Sequence, residues 1–382
     1  MTLDHLGIAA DDAATALFSR LLGAAPYKAE VVDSQGVRTV FFGDGGAPEA
    51  APKLELLESV AEGSPIARHL AKRGPGLHHV AFQVQDIEAE MERVRGLGIR
   101  LLSDKPQPGA DGKRIVFLHP KDTAGVLVEL CADGPLERRP LAVPWDGGTL
   151  GGWEAGSPEA PPLLALHGAM GTSAQMERFA PIWARRFRVV ALDLPGHGAS
   201  ADDAEMSWER FASGVEAALD HLALDRPAVF GYSLGAAVAL AVARQRPPGR
   251  LGRLALHATN VQWTAREVDR MTAGLGDAAP ATEAHMETLH GGLWRETVGR
   301  MVRFCEGLPD AWIPDADLAR IESPVLVSIG DADGLFGVES AVGLWRALPE
   351  AELWVIPGAT HALGSLGAEA FAREVAGFLA PS

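Results

Sequence analysis

Ser233 lies in the clearest candidate for chemistry, a short turn between two apolar segments. The segment Ala228-Val-Phe favours a strand, Gly231-Tyr-Ser-Leu-Gly235 favours a tight turn, and the alanine-rich residues up to Arg244 favour a helix. In such a strand–turn–helix the glycines let the chain bend sharply, and the serine hydroxyl projects above the sheet. The next N–H group, that of Leu234, begins the helix and can stabilise an oxyanion. Ser233 is therefore a candidate nucleophile.

A serine nucleophile needs a histidine base and a carboxylate that orients the histidine. Loops that follow apolar strands later in the chain offer both kinds of residue. Gly330-Asp-Ala-Asp333 follows one apolar strand, and Gly358-Ala-Thr-His361 follows the last one. The sequence therefore predicts His361 as the base and either Asp331 or Asp333 as the acid.

A second set of candidates comes from an internal repeat in the first third of the chain. His5 and His79 each lie on an apolar strand, and each is followed after the same interval by a glutamate, Glu55 or Glu129, on another apolar strand. Duplicated units of this size usually pack their sheets together, so corresponding residues converge. Two imidazoles and two carboxylates suit a divalent transition metal such as Co²⁺, Mn²⁺, Ni²⁺, Zn²⁺ or Fe²⁺.

The elements that must position these residues fall into two groups. Each repeat is predicted to fold as βαβββ, with helices over 11–22 and 87–97. The later part alternates apolar strands with helices, as a parallel α/β sheet requires. Its predicted strands are 163–167, 189–193, 228–230, 254–257, 325–329 and 353–356, and its predicted helices are 173–186, 208–222, 234–244, 339–347 and 368–379.

Domain boundaries follow from composition. A stretch rich in glycine and proline predicts a linker over 134–145, between a first domain of residues 1–133 and a second of residues 146–382. Residues from about 259 to 318 interrupt the alternation of the second domain, and they predict a small helical cap.

The first domain resembles the vicinal-oxygen-chelate (glyoxalase) superfamily, and within it the methylmalonyl-CoA epimerases. The resemblance is carried by Asp4-His-Leu-Gly-Ile-Ala, Ser34-Gln-Gly-Val, Leu54-Glu-Leu-Leu-Glu, Ser64-Pro-Ile-Ala, Gly76-Leu-His-His, Gly109-Ala-Asp-Gly, Phe117-Leu-His-Pro-Lys and Gly125-Val-Leu-Val-Glu-Leu. It implies a divalent metal held by His5, Glu55, His79 and Glu129, which binds the thioester and carboxylate oxygens of an acyl-CoA.

The same resemblance implies an acid and a base that invert the α-carbon of the acyl group. Some relatives carry one of them as a glutamate just before the Gln/His-Gly-Val stretch. This chain has Ser34 at that position. His78, beside a predicted ligand, is a candidate substitute or else a histidine that lines the cleft.

The second domain resembles the α/β-hydrolases, a doubly wound, mostly parallel sheet. Four landmarks carry the resemblance: Leu166-His-Gly-Ala-Met-Gly, Asp193-Leu-Pro-Gly-His-Gly-Ala-Ser, Gly231-Tyr-Ser-Leu-Gly and Gly330-Asp-Ala-Asp. It implies Asp333 as the acid of the triad. It also implies oxyanion donors at Leu234 and at Ala169, with Met170 as the alternative to Ala169. His167 and His197 are interpreted as structural residues of their turns, and no cofactor is expected for this domain.

Composition limits the partners. The 382 residues carry a formal net charge of −16, which argues against nucleic acid and anionic membranes. The two cysteines fit a reducing compartment, and neither a signal-like N-terminus nor a membrane-spanning apolar run is found. We therefore expect a cytoplasmic protein that acts on a small molecule, an acyl ester or an acyl-CoA, with a homodimer as one arrangement.

The first hypothesis for function is a bifunctional enzyme, in which a metal-dependent acyl-CoA epimerase is fused to a serine hydrolase of esters or thioesters. The second joins an extradiol-type dioxygenase to a hydrolase of C–C bonds in ring-cleavage products. Such iron sites use two histidines and one carboxylate, whereas this sequence offers a fourth ligand. In the third hypothesis the first domain binds a metal or ligand without catalysis and regulates the hydrolase.

Overall fold

The computed structural model divides the chain into two compact units, Met1–Pro135 and Leu136–Ser382. It describes residues 1–11, 13–43, 52–84, 86–134, 136–146, 148–200, 204–245, 249–276, 280–308 and 313–380. Among these residues, none of the helices combines the length and the apolar character needed to cross a bilayer.

The first unit is one eight-stranded sheet built from two βαβββ repeats, as predicted. Its elements are β1 (Thr2–Ala9), α1 (Ala13–Leu22), β2 (Lys28–Val32), β3 (Val37–Phe42), β4 (Lys53–Ser59), α2 (Pro65–Arg73), β5 (Gly76–Gln83), α3 (Ile87–Gly96), β6 (Gln107–Pro108), β7 (Lys113–Leu118) and β8 (Val128–Asp133). Helix α2, which the sequence analysis did not predict, begins at the N-cap Ser64 with a proline in its first turn.

The strand order β2-β3-β4-β1-β5-β8-β7-β6 places the two repeats side by side. The first strands of the repeats, β1 and β5, are antiparallel neighbours at the centre, and each pairs in parallel with the last strand of its own repeat. Helix α1 packs through Phe18 on Phe42, and α3 packs through Met91 and Val94 on the second half of the sheet. The four strands that carry the predicted ligands are therefore adjacent.

The second unit is an eight-stranded, mostly parallel sheet with helices on both faces, as predicted. Its elements are β9 (Arg139–Trp145), β10 (Gly148–Ala155), β11 (Pro162–Leu166), α4 (Ala180–Trp183), β12 (Arg188–Leu192), α5 (Trp208–His221), β13 (Ala228–Tyr232), α6 (Leu234–Gln245), β14 (Leu254–His257), α7 (Ala265–Gly276), α8 (Pro280–His290), α9 (Trp294–Glu306), α10 (Asp315–Leu318), β15 (Val325–Gly330), α11 (Val338–Ala347), β16 (Ala351–Ile356) and α12 (Ala368–Leu379).

Alternation along the strands builds two cores. In β11, Leu164 and Leu166 pack with helices α5 and α6, whereas Leu163 and Ala165 face the opposite core. That second core contains the aromatic side chains of α4 and α12. Helices α7, α8 and α9 lie between β14 and β15 in the chain and form the predicted cap.

Besides α2, two segments differ from the sequence expectation. Residues 139–145, predicted within the linker, form the edge strand β9, which pairs antiparallel with β10 and buries Val143. The helix predicted over 173–186 is a 3₁₀ turn at Ser173–Met176 followed by the short α4. Pro181 explains the break, because proline lacks the N–H that would continue a helix from the preceding turn.

Candidate active sites

Ser233 occupies a strained turn between β13 and α6. Its φ angle of 50° lies in the left-handed region, which is unfavourable for residues other than glycine. The neighbouring glycines permit this turn. A Cβ atom on Gly231 would lie 2.5 Å from the Cα of Ala236, and one on Gly235 would lie 2.4 Å from the carbonyl oxygen of Leu166. The backbone is further held by a 2.9 Å hydrogen bond from the Ser233 N–H to the His257 carbonyl.

The structure brings Ser233, His361 and Asp333 together. The Ser233 Oγ lies 3.2 Å from the His361 Nε2, and the His361 Nδ1 lies 2.8 Å from the Asp333 Oδ2. The N–H groups of Leu335 and Phe336 donate to the other Asp333 oxygen at 2.8 and 2.9 Å. This is the geometry of a nucleophile, a base and an orienting carboxylate.

Electrostatics keep Asp333 ionised. Burial alone would raise its pKa, but the hydrogen bond and charge of His361, together with the two backbone N–H groups, hold the pKa below its ordinary value. The alternative acid, Asp331, has a different contact, since its Oδ1 accepts a 2.6 Å hydrogen bond from the Gly358 N–H. Asp333 is thus the carboxylate that contacts His361.

The two predicted oxyanion donors lie on segments adjacent to Ser233. Leu234 is the first residue of α6, and the first N–H groups of a helix have no acceptor within it. Ala169 follows Gly168, where a Cβ atom would lie 3.4 Å from the Cβ of Ser233. The Gly168 carbonyl accepts hydrogen bonds from the Gly171 N–H at 3.0 Å and from the His167 Nδ1 at 2.8 Å. In a trans peptide the Ala169 N–H therefore points the opposite way, with a fixed orientation.

The four predicted metal ligands also converge. The His5 Nε2 lies 3.0 Å from the His79 Nε2, 3.3 Å from the Glu55 Oε2 and 3.9 Å from the Glu129 Oε1. The His79 Nε2 lies 3.5 Å from Glu55 and 3.6 Å from Glu129. All four side chains are buried. Gly7 makes room for this arrangement, because a Cβ atom there would lie 2.2 Å from the His79 ring.

This donor set fits a divalent transition metal. Coordination at about 2.1 Å separates neighbouring donor atoms by roughly 3.0–3.4 Å, close to the observed spacing. The pKa of Glu129 is raised to about 8, mainly by burial. The nearby carboxylates of Glu55 and Asp4 also raise this pKa, whereas the positive charge of His5 lowers it. A cation among the four side chains would remove that cost of burying a carboxylate beside others.

Asp4 is a part of this site that sequence reasoning missed. Its Oδ2 lies 2.8 Å from the His5 Nδ1, and its Oδ1 accepts a 3.1 Å hydrogen bond from the Lys113 Nζ. Neighbouring residues on a strand normally face opposite sides of the sheet. The pairing of β1 with β5 shifts register between Leu3 and His5, and this bulge brings Asp4 to the side of His5. Only the adjacency Asp4-His5 was visible in the sequence.

A cavity of about 370 Å³ adjoins the four side chains. Its lining includes Lys53, Lys113 and the apolar rings of Phe41 and Phe117. His78 also lines it, and the His78 Nδ1 lies 3.0 Å from the His79 Nδ1. Burial lowers the pKa of His78 to about 4, so the ring is neutral at physiological pH. Ser34 is exposed at the turn before β3 and is not among the lining residues in the described chain.

Similarity to known proteins agrees with this division. Residues 163–374 match the sequence profile of the Alpha/beta hydrolase family. The chain belongs to this family. Residues 4–117 match the Glyoxalase/Bleomycin resistance protein/Dioxygenase superfamily, so this α/β-hydrolase carries a glyoxalase-type N-terminal domain.

Among the relatives, an ethylmalonyl-CoA/methylmalonyl-CoA epimerase from Cereibacter sphaeroides is 42% identical over 132 residues, which are 34% of this chain and 95% of that protein. A dihydrolipoyllysine-residue acetyltransferase component of the acetoin cleaving system from Pseudomonas putida is 30% identical over 61% of this chain and 67% of its own length. The crystal structure of a lipase-like protein from Acinetobacter baumannii, at 22% identity and a TM-score of 0.53, covers 63% of this hydrolase and 89% of that chain, and it supports the fold alone.

Proposed function

We propose that the C-terminal unit hydrolyses an ester or thioester through an acyl-serine intermediate. The observation that carries this proposal is the hydrogen-bonded series Ser233, His361 and Asp333 on the turn after β13. Ser233 Oγ attacks the acyl carbonyl while the His361 Nε2 takes its proton, and His361 then gives that proton to the departing alcohol or thiol. Water repeats the sequence and releases the acid and the free serine. The N–H groups of Leu234 and Ala169 stabilise the oxyanion in both steps.

Hydrolysis of p-nitrophenyl esters and acyl-CoA thioesters tests this proposal. Ser233→Ala is expected to abolish turnover, and Asp333→Asn to lower kcat by about 10³–10⁴-fold, since His361 then loses its orienting carboxylate. Asp331→Asn is the matched control. Its amide oxygen can still accept the hydrogen bond from Gly358, so kcat should stay at the wild-type level. Full activity in Ser233→Ala, or loss in Asp331→Asn with retention in Asp333→Asn, would contradict the assignment.

The N-terminal unit is proposed to bind a divalent metal and an acyl-CoA resembling methylmalonyl-CoA and to exchange the α-proton of the acyl group. Convergence of two imidazoles and two carboxylates on one buried point supports this proposal, together with the epimerases among its relatives. The metal would polarise the thioester carbonyl and stabilise the negative charge that develops as the α-proton leaves. The His5 Nδ1–H donates to Asp4, so that release of the Nε2 proton on metal binding would leave the Nε2 lone pair for the metal. Glu55, whose Oε2 lies 3.3 Å from the His5 Nε2 and 3.5 Å from the His79 Nε2, would be a fourth ligand, which favours this chemistry over that of an extradiol iron site.

Complete inversion requires proton transfer on both faces of the α-carbon, and Ser34 stands where some relatives carry a glutamate. We therefore expect α-deuterium exchange from D₂O to outpace inversion in the wild-type protein. Although Ser34 itself does not line the cavity, its neighbour Gln35 does, so the longer side chain of Ser34→Glu should reach the substrate and raise the inversion rate about 10²-fold or more, the usual contribution of a general acid or base. Ser34→Gln, of similar size but without a carboxylate, is the control and should not. Absence of both exchange and metal binding in the wild type would refute the proposal.

A further inference from the structure

His290 connects the helical cap to the loop that carries the predicted oxyanion donor Ala169. It is the last residue of α8, and both of its ring nitrogens are engaged. The Gly198 N–H donates to the His290 Nδ1 at 3.1 Å, and the His290 Nε2 lies 3.2 Å from the Met170 carbonyl oxygen. Because Nδ1 accepts a hydrogen bond, the proton of the neutral ring is on Nε2, which donates to Met170. Burial lowers the pKa of His290, which favours this neutral form.

The Met170 backbone is a place where such a contact matters. Its φ angle of 54° lies in the left-handed region, although the residue is not glycine. A conformation of this kind costs about 1 kcal/mol or more and persists only where surrounding contacts impose it. The Met170 side chain is buried in the core, and its carbonyl oxygen is held by His290. Met170 directly follows Ala169, so its conformation sets the path of the loop beside Ser233.

A second histidine, His167, also makes hydrogen bonds that fix this loop. The Leu194 N–H donates to the His167 Nε2 at 2.9 Å, and the His167 Nδ1 therefore donates to the Gly168 carbonyl. His167 fixes the peptide group between Gly168 and Ala169, which contains the Ala169 N–H, and His290 fixes the carbonyl group of Met170. The first contact involves the loops that follow β11 and β12, and the second comes from the cap.

We propose that His290 is a positioning residue, through which the cap holds the Ala169 N–H in line for the oxyanion formed on Ser233. This inference rests on the proposed hydrolase function. It assigns to one cap residue a role in transition-state stabilisation, which is distinct from covering the substrate. His290 itself contacts neither the triad nor the reacting atoms; it acts through Met170.

The test compares His290 variants of the full chain in p-nitrophenyl butyrate hydrolysis. His290→Ala is expected to lower kcat about tenfold or more without raising KM, because loss of a complete oxyanion donor costs about 10²–10³-fold and here the donor is loosened but not removed. Affinity for phenylboronic acid, which forms a tetrahedral anion on a reactive serine, should fall in the same proportion. His285→Ala is the matched control, since His285 is an exposed residue of the same helix, and it should leave both quantities unchanged.

Two conservative variants identify the bond responsible. His290→Gln can place an N–H donor near the position of Nε2, and His290→Asn can place an acceptor near Nδ1. Recovery of kcat by Gln supports the bond to Met170 as the one that counts. Wild-type kcat in His290→Ala, a change in KM alone, or failure of Gln to recover activity in a protein with the wild-type melting temperature would overturn the inference, and so would recovery by Asn alone, because Asn restores only the bond to Gly198. Hydrolysis surviving in Ser233→Ala would overturn the proposed function as well, so the two failures are distinguishable.

Discussion

At the scale of single residues, the backbone geometry at Ser233 is possible because Gly231 and Gly235 have no side chain. Gly231 and Gly235 sit where a methyl group would contact backbone atoms, which cannot move aside as a flexible side chain can. This is the physical reason why the G-x-S-x-G pattern, read from the sequence alone, predicted both the turn and the serine that it exposes. The pattern is local, and the constraint that it reports is local too.

Gly235→Ala is expected to destabilise the hydrolase unit by about 2 kcal/mol or more, because its Cβ would overlap the Leu166 carbonyl oxygen. Ester hydrolysis should be lost together with stability, since the displaced α6 carries the Leu234 N–H. Urea unfolding and p-nitrophenyl ester turnover measure the two effects.

Gly343→Ala provides the comparison for that measurement. Gly343 lies in α11, and a Cβ atom there would meet nothing within 4 Å. Alanine should leave activity unchanged and raise the free energy of unfolding by about 0.5–1 kcal/mol, since glycine is a poor helix former. Equal stability of the two variants would show that the turn after β13 tolerates a side chain.

At the scale of elements, the sequence predicted what repeats or alternates and missed what depends on pairing. The common interval between histidine and glutamate predicted that β1, β4, β5 and β8 would gather four ligands. The edge strand β9 has no such signal in its sequence, because it is extended only through its antiparallel pairing with β10. The bulge that turns Asp4 toward His5 was equally invisible, as was the bond from α8 to the loop after β11. These features arise from contacts between distant segments, which no local pattern reports.

An ion cluster joins the two repeats of the N-terminal sheet. The Lys28 Nζ on β2 and the Lys53 Nζ on β4 donate to the two oxygens of Asp111, at 3.0 and 2.8 Å. Asp111 precedes β7 and belongs to the second repeat, and its side chain is 5% exposed. Burial alone would raise the pKa of Asp111, but Lys53 and Lys28 hold it below the ordinary value of 3.8.

Asp111→Asn should therefore lower the free energy of unfolding of this unit by about 1–3 kcal/mol at neutral pH. This is less than the loss expected for a fully buried ion pair, because both lysines are partly exposed to solvent. Asparagine tolerates the left-handed backbone found at this position, so the change isolates the charge. A depressed carboxyl pKa stabilises the fold above the unfolded-state value of 3.8, and this contribution is lost as pH falls through the lower folded-state value. The difference between the two proteins should thus shrink in acid.

Denaturant unfolding of both proteins across the pH range from neutral to acid measures that difference. Glu92→Gln is the matched control, because it removes an ion pair with Arg95 on the exposed surface of α3 and should have no measurable effect. A difference that grows as pH falls would contradict the role given to Asp111.

At the scale of the whole molecule, the chain joins two units, one with a predicted metal site and one with a candidate catalytic triad. His5, Glu55, His79 and Glu129 all belong to the unit Met1–Pro135, and Ser233, Asp333 and His361 all belong to the unit Leu136–Ser382. Both proposed reactions depend on an acyl carbonyl group. The N-terminal unit would remove a proton from the α-carbon next to it, and the C-terminal unit would attack the carbonyl carbon. This common chemistry would allow one acyl thioester to be a substrate of both units.

Metal removal distinguishes two independent catalysts from a hydrolase that is regulated by its N-terminal domain. After treatment of the full chain with a chelator, α-deuterium exchange on methylmalonyl-CoA should be lost and should return with Co²⁺ or Mn²⁺, because in the proposed site the metal would be the group that binds and polarises the thioester oxygen. Ester hydrolysis should persist at the wild-type rate, because the described hydrogen bonds among Ser233, His361 and Asp333, and the one from the Leu335 N–H to Asp333, lie within the C-terminal unit.

Point variants repeat that test without a chelator. His79→Ala should abolish metal retention and exchange while hydrolysis continues, and Ser233→Ala should do the reverse. Two other results together would indicate that the N-terminal domain is a metal-dependent regulator of the hydrolase. Hydrolysis would be lower in His79→Ala, and in the wild type it would fall after chelator treatment and recover when metal is added. Exchange and hydrolysis that are lost together in both variants, with each protein still folded, would mean that the two reactions are coupled steps on one substrate.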